Sequence, residues 1–245
     1  MQKVDCKKYA DEILKGVKRQ RKRPLWIVRA AKGEAAADAY INGIKKDCNR
    51  CGVDWKEVDP DKHACSFMFD LAFKGRCGGM VCDTPEQEPP FLDIDKFRDG
   101  AFLPCVVEAV LHIIEMEVGS IQGKRVLLIG RSKAIGRPLL AELVKRNATV
   151  TLAHSFTENI EHPNYLTTHD IIISAAGKAN LIDLNRCFAD LVVDVGISQD
   201  ESGKVCGDCF NFDPADNDSM KVATLPGGVG LITRALLLDR IKNEK

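Results

Sequence analysis

No sign of charge predominates in this chain. Lys and Arg together number 35, as do Asp and Glu, for a formal net charge of +0. A chain so balanced presents no long-range field to draw in nucleic acid or an anionic membrane. The longest basic run, Lys18 to Arg23, closes a helix-like segment, where cations complement the helix dipole. Long apolar runs are missing too: none approaches the roughly 20 residues of a membrane span. The opening Met1-Gln2-Lys3-Val4-Asp5 lacks the apolar centre of a signal peptide. A cytoplasmic protein is expected, with no nucleic-acid and no membrane partner. Internal repeats and low-complexity tracts are absent as well.

Metal-ligand spacing is also missing. His63, His112, His162 and His169 fall into no ligand pattern, and there is no carboxylate–histidine cluster. Of the ten cysteines, two C-x-x-C pairs need weighing, Cys48/Cys51 and Cys206/Cys209. Together they make a formal four-thiolate zinc set. One pair falls on a helix, however, and the other in a strand-like stretch beside Gly207-Asp208. In a reducing compartment they read as free thiols, and no metal is expected.

What the chain does have is alternation. Cys6, Tyr9, Ala10, Ile13, Leu14 and Val17 recur at helical spacing and predict a helix over 5–20. A strand at Leu25 to Val28, a helix over 35–50 ending at Gly52, a weak strand over 53–58 and a strand at Gly79 to Cys82 follow. Residues 61–76 are compatible with a short helix, 83–90 are rich in turn formers, and 106–117 is helical. The second half alternates more clearly. Strands are expected over 125–129, 149–153, 170–174 and 191–195, a short segment over 222–225, and helices over 138–146 and 231–241. Short parallel strands with helical crossovers argue for an α/β protein whose second half is a Rossmann-type doubly wound sheet. The expected division is a smaller N-terminal α/β domain over 1–115, the Rossmann domain over 116–225, and a closing segment over 226–245.

The most informative stretch is Ile129-Gly130-Arg131-Ser132-Lys133-Ala134-Ile135-Gly136-Arg137-Pro138. An apolar run breaks at Gly130, a second glycine follows, and a proline marks a helix start. A strand, tight loop and helix in that order lay dinucleotide phosphates on backbone N–H groups. Ligands of such sheets bind beyond the strands' carboxyl ends. Four points are expected there: Gly130-Arg131-Ser132, His154-Ser155, Ala175-Ala176-Gly177 and Gly196-Ile197. An NAD site usually offers a carboxylate after the second strand, and Leu152-Ala153-His154-Ser155 has none. Arg131 and Ser132 can hold a phosphate instead, which favours NADP. The bland alternative is that the loop only caps a helix and Arg131 is a surface charge. His154 either touches a cofactor phosphate or braces its own loop.

Five motifs in order resemble those of the bifunctional methylenetetrahydrofolate dehydrogenase/cyclohydrolase family. They are Gly130-Arg131-Ser132 through Ile135-Gly136 to Pro138; Ala148 to Thr151 with His154-Ser155 and Thr157; Asp170 to Lys178; Val193 to Ile197; and Pro226-Gly227-Gly228-Val229-Gly230. The resemblance is close in the second half and loose in the first. It implies a homodimer, cytosolic or organellar, with two α/β domains flanking a cleft and a C-terminal helix packing back on the N-terminal domain. It also implies NADP on the Rossmann domain and a tetrahydrofolate substrate, whose methylene bridge is oxidised by hydride transfer and then hydrolysed. By resemblance, Gly130, Arg131, Ser132, Ser155 and Ile197 contact NADP, and Pro226 to Gly230 line the folate side.

The first half departs from the family pattern. The family's Tyr-x-x-x-Lys pair lies on one helix face. Tyr40 fits the tyrosine and would stack on the folate, but position 44 is Ile44, not lysine. Lys45 and Lys46 are rotated about 100° and 200° away from it. The family's strand-end glutamine is replaced by Asp83. That aspartate could serve as a substitute base, pair with Lys45 or Lys46, or cap a turn. Asp93-Ile94-Asp95 retains part of the family's Asp-Val-Asp-Gly, with Asp95 toward the pterin N–H groups. Tyr40, Asp83 and Asp95 are thus the expected catalytic and substrate-binding residues. Hydride transfer needs mainly alignment, whereas hydrolysis needs proton management, so loss of the lysine should weaken the cyclohydrolase more. The alternatives are a non-catalytic folate or NADP binder, and a Rossmann dehydrogenase for another small cyclic substrate.

Overall fold

The computed structural model describes residues 1–18, 22–28, 35–58, 79–82, 103–160, 162–200, 202–213 and 219–241. The short helix expected within 61–76 and the turn-rich stretch over 83–90, with Asp83 and Asp95, lie outside these. The chain folds as two compact units, one of Met1–Lys7 with Val106–Leu231, the other of Lys8–Cys105 with Ile232–Lys245. The C-terminal helix was expected to return to the N-terminal domain; the crossing of Met1–Lys7 into the other unit was not.

The first unit is built on a six-stranded sheet. Its strands are β1 (Gln2–Lys3), β5 (Arg125–Ile129), β6 (Thr149–Ala153), β7 (Ile171–Ser174), β9 (Leu191–Asp194) and β13 (Lys221–Ala223), in the order β1-β13-β9-β7-β5-β6. Every pairing is parallel. Starting from β5, the chain therefore fills the sheet in the order second, first, third, fourth, fifth. This is a doubly wound order whose switch point lies between β5 and β7. Val126, Leu127 and Leu128 of β5, and all of Ile171, Ile172 and Ile173 in β7, are fully buried. Burial on both faces makes such strands read as unbroken apolar runs. One face packs Leu127, Ile129, Ile172, Val192 and Val222 with Met1, Leu166 and Leu184. The strand expected from Asp170 begins one residue later, because the Asp170 carboxylate accepts the Arg125 N–H at 2.8 Å and pairs with its guanidinium at 3.0 Å. That guanidinium holds the Asp170 carboxyl below its usual range.

Helix α3 (Cys105–Val118) leads into β5, and α4 (Gly136–Lys145) joins β5 to β6. The proline start expected for α4 is displaced: the helix begins at Gly136 because Ser132 organises its entrance, as described below. Pro138 still sits in the first turn, where its missing N–H costs nothing. Asn147, in the left-handed region at φ 62°, ends the helix. The short elements α5 (Pro163–Leu166), β8 (Ile182–Asp183), β10 (Ser198–Gln199), β11 (Val205–Cys206) and β12 (Cys209–Phe210) complete this unit.

The second unit holds α1 (Cys6–Lys18, most of which lies in it), α2 (Ala35–Cys51) and a parallel sheet ordered β3-β2-β4. Its strands are β2 (Leu25–Val28), β3 (Trp55–Val58) and β4 (Gly79–Cys82). The α2 positions Ile41, Ile44 and Cys48 are fully buried, the stripe expected of a core-facing helix. The last helix, α6 (Val229–Asp239), continues into this unit. There Arg234 Nε donates to Asp47 Oδ2 on α2 at 2.8 Å. Gly43 makes room for it: a Cβ there would lie 2.8 Å from the Arg234 guanidinium carbon. The C-terminal helix thus packs back on α2. Among the described residues, no helix is long and apolar enough to cross a membrane.

Candidate functional site

The turn after β5 is a backbone device. Gly130 has φ +116°, and a Cβ there would stand 2.3 Å from the Ala175 carbonyl oxygen. Gly136 is equally constrained, because its Cβ would lie 2.3 Å from the Gly130 carbonyl oxygen. Real side chains do not enter such space, so both positions require glycine. Ser132 Oγ accepts N–H bonds from Ile135 at 3.2 Å and Gly136 at 3.3 Å, and its carbonyl accepts from Arg137 at 3.0 Å. Ser132 therefore sets the start of α4, which is the capping role weighed from sequence. Arg131 is exposed.

The turn after β6 is equally well defined. The His154 N–H donates to Thr157 Oγ1 at 2.9 Å, and the Thr157 N–H returns to the His154 carbonyl at 2.7 Å. His154 Nδ1 accepts the Phe156 N–H at 3.2 Å. His154 thus braces its own loop. Ser155 is exposed within this turn, and no carboxylate ends β6.

The ends of β7 and β9 are tied together by two buried aspartates. Asp208, at 0 % exposure, receives four donors. Its Oδ2 accepts from Ser174 Oγ at 2.8 Å, the Ala176 N–H at 2.7 Å and the Gly177 N–H at 3.3 Å. Its Oδ1 accepts the Lys178 N–H at 2.8 Å. Asp194, at the end of β9, accepts the N–H groups of Asp208 at 3.0 Å and Cys209 at 3.0 Å. Burial pushes the Asp194 carboxyl up to about 6, with the Asp208 charge adding to the rise and backbone N–H groups opposing it. Two glycines admit these carboxylates. A Cβ on Gly196 would lie 1.9 Å from Asp208 Oδ1, and one on Gly207 2.0 Å from Asp194 Oδ2. Ile197 follows Gly196 and is half-exposed, and its carbonyl oxygen lies 3.9 Å from the Cβ position of Gly177.

Three of the four expected strand-end points thus gather at the switch point. Gly130 meets Ala175, the 175–178 segment meets Asp208, and Asp208 meets Gly196. Asp208 was not anticipated. Its one signal in the sequence was a glycine beside an aspartate, Gly207-Asp208, overshadowed by the flanking cysteines.

The glycine-rich turn belongs to the same unit. Gly227 is left-handed at φ +91°, and a Cβ on Gly228 would lie 2.5 Å from the Thr224 carbonyl oxygen. Lys3 Nζ donates to the Pro226 carbonyl at 3.3 Å. The Leu231 N–H bonds the Gly228 carbonyl at 3.1 Å, so α6 begins at Val229 rather than Leu231, and Val229 and Gly230 form its first turn. In the second unit Tyr40 is half-buried on α2, and Ile44, one turn on, is fully buried. Lys45 pairs with Glu57 and lies 5.0 Å from the Trp55 ring centre.

The C-x-x-C pairs fall in different units. Burial pushes the Cys48 thiol up to about 12 and Cys209 well above its ordinary value, which disfavours thiolate. Among the described residues, no three His, Cys, Asp or Glu side chains converge on a metal position.

Known proteins share this architecture. The bifunctional protein FolD of Thermosipho africanus is 40% identical over 254 aligned residues, covering 94% of this chain and 91% of that protein. The crystal structure of the bifunctional enzyme FolD, methylenetetrahydrofolate dehydrogenase/cyclohydrolase, from Campylobacter jejuni superposes with a TM-score of 0.83. It is 24% identical, with 98% of this chain and 96% of that one covered. The Trypanosoma brucei FolD, complexed with NADP cofactor and inhibitor, gives 0.79 at 24% identity over 97% of this chain and 94% of that one. A model of the NAD(P)-binding domain of tetrahydrofolate dehydrogenase/cyclohydrolase matches residues 104–244, more than half the chain and the whole of the β5–β13 alternation. With the glycine cradle, the strand-end turns and the glycine-rich turn all inside that match, the chain belongs to the tetrahydrofolate dehydrogenase/cyclohydrolase family.

Proposed function

We propose that this chain is an NADP-dependent methylenetetrahydrofolate dehydrogenase whose second family activity, methenyltetrahydrofolate cyclohydrolase, is weak or lost. The observation that carries the reading is the β5–α4 turn, where Gly130 and Gly136 let the backbones of strand end, loop and helix start approach more closely than any Cβ would allow. A phosphorylated dinucleotide suits this donor set, with Arg131 beside the cradle and no carboxylate after β6 to repel a ribose phosphate. The Trypanosoma brucei relative, solved with NADP, supports the same cofactor.

When bound, NADP supplies the acceptor for the hydride that leaves the folate's methylene carbon. In this reading Gly130, Arg131, Ser132 and Ser155 hold its phosphates and ribose. Ile197 offers an apolar surface to its ring, and Asp208 fixes the 175–178 segment that shapes the floor. The protein's contribution to the oxidation is alignment, because the folate nitrogen's lone pair drives the hydride out and no side-chain base is obligatory.

The folate side is proposed from Tyr40, Asp83, Asp95 and the Pro226–Gly230 turn. Tyr40 would stack on the substrate's aromatic parts, Asp95 would accept pterin N–H groups, and Asp83 is the candidate for proton handling. Hydrolysis of the methenyl product depends on such handling, worth about 10²–10⁴-fold. At position 44 the chain has a fully buried isoleucine, which can neither donate nor accept a proton. A homodimer in the cytoplasm is proposed on family grounds.

The test is spectrophotometric. Purified protein given methylenetetrahydrofolate and NADP should form NADPH, and Gly130→Ala should abolish it. Binding of folate and NADP without turnover would contradict the proposal.

A further inference from the structure

Phe156 is 80 % exposed, the most exposed of the large apolar side chains described. It stands at the tip of the β6 turn, and its place there is not loose. The three hydrogen bonds among His154, Phe156 and Thr157 described above fix the backbone on either side of it. The His154 ring meets the phenyl ring edge-on, with centroids 6.1 Å apart and planes at 77°. Over the ring, 5.8 Å from its centre, lies the guanidinium carbon of Arg131 from the neighbouring β5 turn. That is within the range of a cation–π contact.

No carboxylate pairs with Arg131 among the described residues. The ring contact consumes none of its five N–H donors, so all remain available to a ligand. An exposed arginine otherwise samples many rotamers, and binding must then immobilise it. A ring anchored by its own turn restrains the guanidinium beforehand.

We propose that Phe156 is a positioning residue for Arg131, holding its guanidinium where it grips a ribose 2′-phosphate, and so setting the preference for the phosphorylated over the unphosphorylated nucleotide. The proposal rests on the NADP reading above and adds to it a residue that never needs to touch the phosphate. Its scale is that of an exposed cation–π contact, about two- to fivefold in binding.

The experiment is calorimetric titration of the full chain with adenosine 2′,5′-bisphosphate and with adenosine 5′-monophosphate. The unaltered protein should favour the bisphosphate. Phe156→Ala should lower that preference about two- to fivefold, chiefly by weakening the bisphosphate, and Phe156→Trp should keep it. In the Arg131→Ala background the preference should be gone, and Phe156→Ala should change nothing further. An unchanged preference in Phe156→Ala would overturn the proposal. Equal weakening of both ligands would overturn it too, making Phe156 a platform for adenine. If the unaltered protein does not discriminate between the ligands, the NADP reading falls, and this proposal with it.

Discussion

The two units treat the chemistry of their family differently. In the first unit, the strand ends are built from backbone and buried carboxylates, and a Cβ fits at none of Gly130, Gly136, Gly196 or Gly207. In the second, α2 keeps Tyr40 but presents Ile41, Ile44 and Cys48 to a core, and position 44, where the resemblance implies a lysine, is apolar. A phosphate cradle is a property of backbone shape and tolerates almost no substitution. A proton-handling side chain is a single group, and its loss leaves the fold intact. This is why the proposed function separates oxidation from hydrolysis.

The sharpest way to break this contrast is the same substitution in each unit. Gly130→Ala places a methyl group 2.3 Å from a carbonyl oxygen at φ +116°, which overpacks and strains the turn. A loss of NADP affinity of about 100-fold or more, or outright failure to fold, is expected by titration and thermal unfolding. Gly16 on α1 has nothing within 4 Å of its Cβ position. Gly16→Ala should instead stabilise the protein by about 0.5–1 kcal/mol. If both were neutral, the glycine cradle would not be a constraint.

Next in size is Asp208→Asn. It keeps one acceptor and turns the other toward N–H groups already pointing at it. Leaving buried donors unsatisfied costs about 1–3 kcal/mol each, so a loss of roughly 3 kcal/mol in urea unfolding is expected. NADP affinity should fall as the 175–178 segment loosens. A loss below about 0.5 kcal/mol would show that Asp208 does not hold that segment.

A smaller effect tests Asp194. Its carboxyl stands at about 6 against an ordinary 3.8 because it is buried. Between those values the folded chain keeps a proton that the unfolded chain has released. This group's contribution to stability is therefore complete below pH 3.8 and declines as pH rises toward 6, by at most about 1.4 kcal/mol per pH unit, then levels off. Paired carboxylates such as Asp170, held low by Arg125, slope the other way. The difference between wild type and Asp194→Asn isolates the term. Parallel urea midpoints for the two proteins across pH 4–7 would contradict the assignment.

Strands of both sheets were legible in the sequence because short parallel strands with helical crossovers leave apolar runs. The runs at 125–129 and 149–153 matched β5 and β6 to the residue, and Leu25–Val28 and Gly79–Cys82 matched β2 and β4. Gly130 was legible because a glycine ending an apolar run has few other purposes. β1 was not: Gln2 and Lys3 are exposed and pair with β13 through backbone alone, which no side-chain pattern records. The start of α4 was misread because proline is a loud signal, whereas Ser132 acts from outside the helix. Asp208 was hidden because its partners are mostly backbone N–H groups, which are the same in every sequence. On α2 the buried face of Ile41, Ile44 and Cys48 was not legible, because position 44 was read by resemblance as facing the folate. A lysine introduced at 44 would therefore enter the core, at a stability cost of several kcal/mol.

The central claim is that oxidation and hydrolysis have parted in this chain. The most direct test follows NADPH formation and methenyltetrahydrofolate consumption separately in one reaction. The wild-type protein should form NADPH while methenyltetrahydrofolate accumulates and decays little faster than without enzyme. Ile44→Lys should unfold more easily, because its ammonium replaces a fully buried side chain. Robust consumption by the wild type, keeping pace with NADPH formation, would contradict the claim.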